Sequence, residues 1–144
     1  MAKIVVGFDG SKGSQEALYF ALDEARLREA DLLVVMAWCL EAGTYIGVGG
    51  YGPHIDPSVL EQSARTELDH TLGALGDRAK GVHVAGALRL GQAAQVLVEE
   101  AGDADLLVVG SRGHGGFAGL LLGSVSHQCA LHASCPVVVV HTPS

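Results

Sequence analysis

The chain has 144 residues, with 9 Lys+Arg against 16 Asp+Glu and a formal net charge of −7. That length, with 49% hydrophobic residues, suits one domain with a sizeable buried core and excludes disorder over most of the chain. The acidic balance offers no basic face for a nucleic-acid backbone, and the longest apolar run, residues 32–40, is about half of the ~20 residues that a bilayer-spanning helix needs.

Residues 3–8 form an apolar run ending in Asp9-Gly10-Ser11, which predicts a buried strand entering a turn. Over 14–30, Ala17, Leu18, Ala21, Leu22 and Ala25 recur at helical spacing, with Ser11 or Ser14 as the cap. A second strand is expected over 31–40. Residues 41–56 are rich in Gly and Tyr, and a connection of that length in a compact domain is functional or mobile. Asp56-Pro57 places an N-cap before proline at the first helical position. The helix it opens is expected to reach about residue 79, with Val59, Leu60, Ala64, Leu68, Leu72 and Leu75 inward and Gly73 and Gly76 weakening its last turns. A third strand follows over 82–90, a third helix over 92–101, and a fourth strand over 106–109 stopping at Gly110. Beyond a glycine-rich loop, a short helix runs from Ser124 to His132, Cys135-Pro136 breaks it, and a fifth strand covers 137–141.

Strands and helices alternate, and the strands are continuous apolar runs, as in a parallel sheet buried on both faces. Right-handed crossovers leave few topologies. The expected fold is a single doubly wound α/β domain spanning 1–144, with a five-stranded parallel sheet in the order 3-2-1-4-5 and helices on both faces. In such sheets ligands bind beyond the carboxyl ends of the strands, where the order reverses. Gly7 to Gly10 should therefore face Gly110 to Ser124.

The chemistry concentrates in that region. Glycine at a strand end lets a ligand approach the backbone closely. Gly123-Ser124 opens a helix whose first N–H groups and dipole make an anion site. The hydroxyls of Ser124 and Ser126 can donate to phosphate oxygens, and Arg112 can add a forked cation. A glycine-rich turn with Ser124 as an ordinary N-cap is the plainer alternative. Walker A is excluded, since no lysine lies between Gly110 and Ser144. Gly47-Val48-Gly49-Gly50-Tyr51-Gly52 spells GxGxxG but neither follows a strand directly nor opens a helix. Cys39, Cys129 and Cys135 show no CxxC spacing and read as free, mostly buried thiols. No Gly-x-Ser-x-Gly elbow occurs, and His127 and His132 are five apart, on different helix faces, so neither a catalytic residue nor a metal site is assigned.

The spacing Gly110-x2-Gly113-x9-Gly123-Ser124 resembles the nucleotide-binding motif of the universal stress protein family. Ile4-Val5-Val6-Gly7-Phe8-Asp9-Gly10-Ser11 is similar to that family's first strand and aspartate turn, and residues 132–140 are similar to its closing strand. The resemblance covers roughly the first 30 and last 40 residues and implies the family's ATP-binding branch. It implies that Asp9 holds the ribose, Gly7 admits the nucleotide, and the backbone at Ala37 meets the adenine. Gly110 and Gly113 would lie along ribose and phosphates, with Gly123, Ser124, Val125 and Ser126 receiving the phosphate oxygens. The expected ligand is ATP with Mg2+, in a nucleotide-responsive stress protein that answers to a regulatory protein partner. A slow ATPase or nucleotide-transfer enzyme using the same pocket is the alternative. The resemblance also implies a homodimer through the C-terminal strand, which as an apolar edge invites pairing. Because the N-terminal residues pass straight into a strand pattern without a signal-peptide layout, the expected location is the cytoplasm.

Overall fold

The computed structural model describes residues 2–39, 56–111 and 123–142. Along them run β1 (Lys3–Gly7), α1 (Lys12–Arg28), β2 (Asp31–Trp38), α2 (Pro57–Gly73), β3 (Val84–Leu90), α3 (Ala93–Glu100), β4 (Leu106–Gly110), α4 (Ser124–His132) and β5 (Val137–Val140). The strands are all parallel and lie in the order β3-β2-β1-β4-β5, as expected.

Strand alternation divides the core between two faces. Ile4, Val6, Leu32, Val34, Leu106 and Val108 pack with Ala17, Leu18, Ala21 and Leu22 of α1 and Leu68 of α2. Val5, Val35, Leu107 and Val109 pack on the opposite side with Val96 and Leu97 of α3 and Cys129 of α4. Each central strand thus buries both its odd and its even residues, which explains why the strand segments read as unbroken apolar runs.

Local signals account for most element ends. The Ser11 side chain accepts the Ser14 N–H at 3.2 Å and caps α1 two residues earlier than its periodic positions indicate. Glu29, at φ 53°, closes that helix in the left-handed region. Asp56 accepts the Ser58 N–H at 2.9 Å ahead of Pro57, and this bond holds its carboxyl below the usual carboxylate value. The α2 segment starts as expected but departs in its end and in the burial of Val59. It stops at Gly73, and residues 76–79 form a separate 3-10 turn entered through Gly76 at φ 53°. Val59 is 58% exposed, because the inward stripe Leu60, Ala64, Leu68 and Leu72 repeats every four residues and Val59 sits about 100° away from it. Among the described residues, no helix is long and apolar enough to cross a membrane.

None of the three cysteines forms a disulfide, and only Cys129 is fully buried; Cys39 and Cys135 are half-buried. Burial pushes the Cys129 thiol up to about 11. The thiolate is the reactive form, so at pH 8 roughly one Cys129 in a thousand is ionised. Cys129 is expected to resist maleimide labelling in the native protein and to label fully in guanidinium, as read by peptide mass mapping. Native labelling at the rate of a small-molecule thiol would refute this placement.

Candidate functional site

Every helix follows a strand of a parallel sheet, so α1, α3 and α4 all begin at the sheet's carboxyl edge. Their first turns converge on an open cleft at the reversal point between β1 and β4, with a cavity volume of about 80 Å³. Ser11 and Ser14 enter it from α1, Ala93 and Leu97 from α3, and Val125 from α4. Gly7, Phe8 and Asp9 form one wall, Val109 and Gly110 the other, and Val35 and Ala37 of β2 extend it sideways. The structure thus brings Gly7, Asp9, Ala37, Gly110 and Val125 together in one cavity. Arg112 and Gly113 fall outside the described residues, as do the GxGxxG-like stretch and all of the 41–56 segment except Asp56.

Helix N-termini, the positive ends of their dipoles, border the cleft. Among the described residues no Lys or Arg lines it. Arg89, paired in register with Ala37, donates instead to Glu100 and, at 3.0 Å, to Glu99 on α3. These two carboxylates, Glu100 foremost, hold its guanidinium above the ordinary arginine value. The N-cap of α4 is Gly123, with no side-chain capping bond. The first intrahelical acceptor is the Gly123 carbonyl, which takes the His127 N–H at 2.9 Å. The amides of Ser124, Val125 and Ser126 belong to the first turn, where helix geometry supplies no carbonyl, and the dipole favours an anion there.

Two expectations about side chains change. Ser124 is the first helical residue, so it is not the cap. The Ser126 hydroxyl is buried and lies 3.1 Å from both the Ser111 and the Gly123 carbonyls, to which it donates. A donor spent on those carbonyls is not aimed at phosphate, which leaves Ser126 its backbone N–H for that role.

The two strand-end glycines also serve a different purpose from direct ligand approach. A Cβ on Gly110 would lie 2.8 Å from the carbonyl carbon and oxygen of Gly13, and one on Gly7 would lie 2.7 Å from Leu97 Cδ1. Gly110 lets the α1 backbone sit against β4, and Gly7 makes room for the leucine flooring the cleft. Sequence reasoning missed Ser14, Ala93 and Leu97. The signal for Ala93 was available, since an α3 that crosses back over β2 and β1 must start at the same sheet edge.

Fold and site together define a doubly wound α/β domain with a cleft, edged by helix N-termini, at its topological switch point. The pattern of the universal stress protein family matches residues 1–141, and the chain belongs to that family. A universal stress protein of Mycolicibacterium smegmatis is 41% identical over 139 residues, 95% of this chain and 45% of that protein. The chain therefore spans less than half the length of the curated relatives it matches. A universal stress protein solved in complex with cAMP is 28% identical with a TM-score of 0.72, covering 99% of this chain and 98% of that one. One from Archaeoglobus fulgidus in complex with dAMP, 23% identical with a TM-score of 0.66 over 97% of this chain and 98% of that one, shares the fold.

Proposed function

We propose that residues 1–144 act as one ATP-binding universal stress protein domain, in a nucleotide-responsive regulator of the cytoplasm. The observation that carries this reading is the α4 first turn, without a side-chain cap, beginning at the cleft that also holds Asp9. Asp9 would hold the ribose, the Ala37 backbone the adenine, and Gly110 and Gly113 the span between ribose and phosphates, with Arg112 adding its cation. The amides of Ser124, Val125 and Ser126 would receive the phosphate oxygens, whereas the Gly123 N–H already donates to the Ser111 carbonyl at 2.5 Å. Asp9 is the one carboxylate lining the cleft among the described residues. One carboxylate fits a Mg2+ that arrives on the phosphates. The binding of cAMP and dAMP by structural neighbours supports an adenine nucleotide as the ligand class.

The β5 edge, with its four half-buried valines, supports a homodimer and leaves the cleft mouth to a regulatory protein. Native mass spectrometry in Mg-ATP tests both parts. A dimer carrying one ATP per chain is expected, with the ATP intact over hours. Accumulating ADP would favour a slow ATPase, and the absence of any nucleotide mass shift would overturn the reading.

A further inference from the structure

Ser14 is 5% exposed and lines the cleft, yet its hydroxyl is occupied by the chain itself. Its Oγ accepts the Asp9 N–H at 3.2 Å and donates to the Ser11 carbonyl at 2.9 Å. The Ser11 N–H donates to Asp9 Oδ1 at 2.9 Å, and the Ser14 N–H to Ser11 Oγ at 3.2 Å. Asp9 is therefore held at two points, its amide by Ser14 and its carboxylate by the Ser11 amide. The residue between, Gly10, sits at φ 84°, a conformation that few other residues adopt. The four bonds close one ring across the β1–α1 turn, anchored on the first turn of α1.

We infer that Ser14 is a positioning residue for the nucleotide sugar: it acts through Asp9, fixing the turn that aims the carboxylate at a ribose hydroxyl. The inference rests on the proposed nucleotide reading and adds to it the group that sets sugar discrimination. A carboxylate on a freely rotating turn pays an ordering cost on each binding event, whereas one already clamped does not. Removing Oγ leaves the Asp9 N–H without its acceptor in a partly buried place, so the turn relaxes to find another. The lost aim weakens the hydrogen bond to the sugar and leaves the adenine and phosphate contacts in place.

Calorimetric titration of the full chain with ATP, 2′-deoxy-ATP and 3′-deoxy-ATP tests this. Wild-type protein is expected to bind ATP about tenfold tighter than the weaker of the two deoxy analogues, the size of one such hydrogen bond. Ser14→Ala should lower ATP affinity to the level of that analogue while changing the analogue's own affinity by less than about twofold, so that the ratio falls to near one. Asp9→Ala should produce the same collapse, and adding Ser14→Ala to it should cause no further loss. A merely structural role would weaken all three nucleotides alike and keep the ratio. Ser14→Cys, close in volume and a weaker acceptor, should give an intermediate ratio and serves if the alanine variant does not fold. An unchanged ratio in the Ser14 variants, or independent losses in the double variant, would overturn the inference. Wild-type binding of ATP without sugar discrimination would overturn it alone, and wild-type binding of no nucleotide would overturn the ATP reading with it.

Discussion

Gly110→Ala is expected to destabilise the nucleotide-free protein by about 2–3 kcal/mol, the upper part of the range for forcing extra volume into a packed core. For a domain of this size that corresponds to a fall in Tm of roughly 5–10 °C. The new methyl would lie 2.8 Å from the Gly13 carbonyl carbon and oxygen and 3.3 Å from the Ser14 nitrogen. All three are backbone atoms of the first turn of α1, so no side-chain rotation relieves the contact; the helix must move off β4. Gly7→Ala provides the internal comparison. Its methyl meets Leu97 Cδ1 at 2.7 Å, the end of a flexible side chain, so its cost should be smaller and partly recovered by Leu97→Val. Thermal unfolding without nucleotide reads both effects. A Gly110→Ala protein melting within a degree of wild type would show that α1 and β4 are not in backbone contact. The comparison also bears on function: weakened nucleotide binding in a Gly110 variant reports a displaced α1, and with it Ser14 and Asp9, before it reports any lost contact between Gly110 and a ligand.

The same residues show where sequence reasoning reached and where it stopped. Strand identity and sheet order were legible because they follow from properties of single segments. Unbroken apolar runs such as residues 4–6 and 106–109 mean burial on two faces, and right-handed crossovers then restrict the order of strands. The place of the site was legible for the same reason, since the switch point is a property of the order. The direction in which an individual side chain or a missing Cβ points was not legible. Gly110 resembles a ligand-approach glycine until the sheet assigns its absent Cβ to the α1 side, beside Gly13. Ser126 resembles a phosphate donor until Ser111, fifteen residues earlier, is found to supply its acceptor. Val59 resembles a core residue until α2 is seen to bury only a narrow stripe against an edge strand. The first two of these facts depend on segments distant in sequence, about which periodicity within one element carries no information, whereas Val59 lies off the stripe that the four-residue repeat of α2 itself defines.

Ser124→Pro is expected to separate binding from stability. Proline at the first helical position removes an N–H that has no carbonyl partner within the helix, and its fixed φ suits that position. The preceding Gly123, at φ −72° and ψ 168°, is already in the extended region that a residue before proline prefers. Pro57 occupies the equivalent position in α2, and Ser124 is exposed, so no packing is lost. Stability should therefore stay within ~0.5 kcal/mol of wild type, as for an ordinary surface change. Binding should not survive so well. If the α4 amides receive the phosphate oxygens, one charge-assisted hydrogen bond disappears, about 1.5–3 kcal/mol or roughly a 10- to 150-fold loss of ATP affinity. Ser124→Ala keeps the amide and removes only the hydroxyl, and its loss should stay below about fivefold. Calorimetric titration gives the affinities, and apo melting curves show that the fold is intact. The order of the two variants carries the argument. If alanine weakens ATP as much as proline, which lacks the hydroxyl too, the hydroxyl is the ligand and the Ser124 amide is not. If proline leaves affinity unchanged, the phosphates do not rest on this helix end, because its first amide can then be deleted without the nucleotide registering the loss.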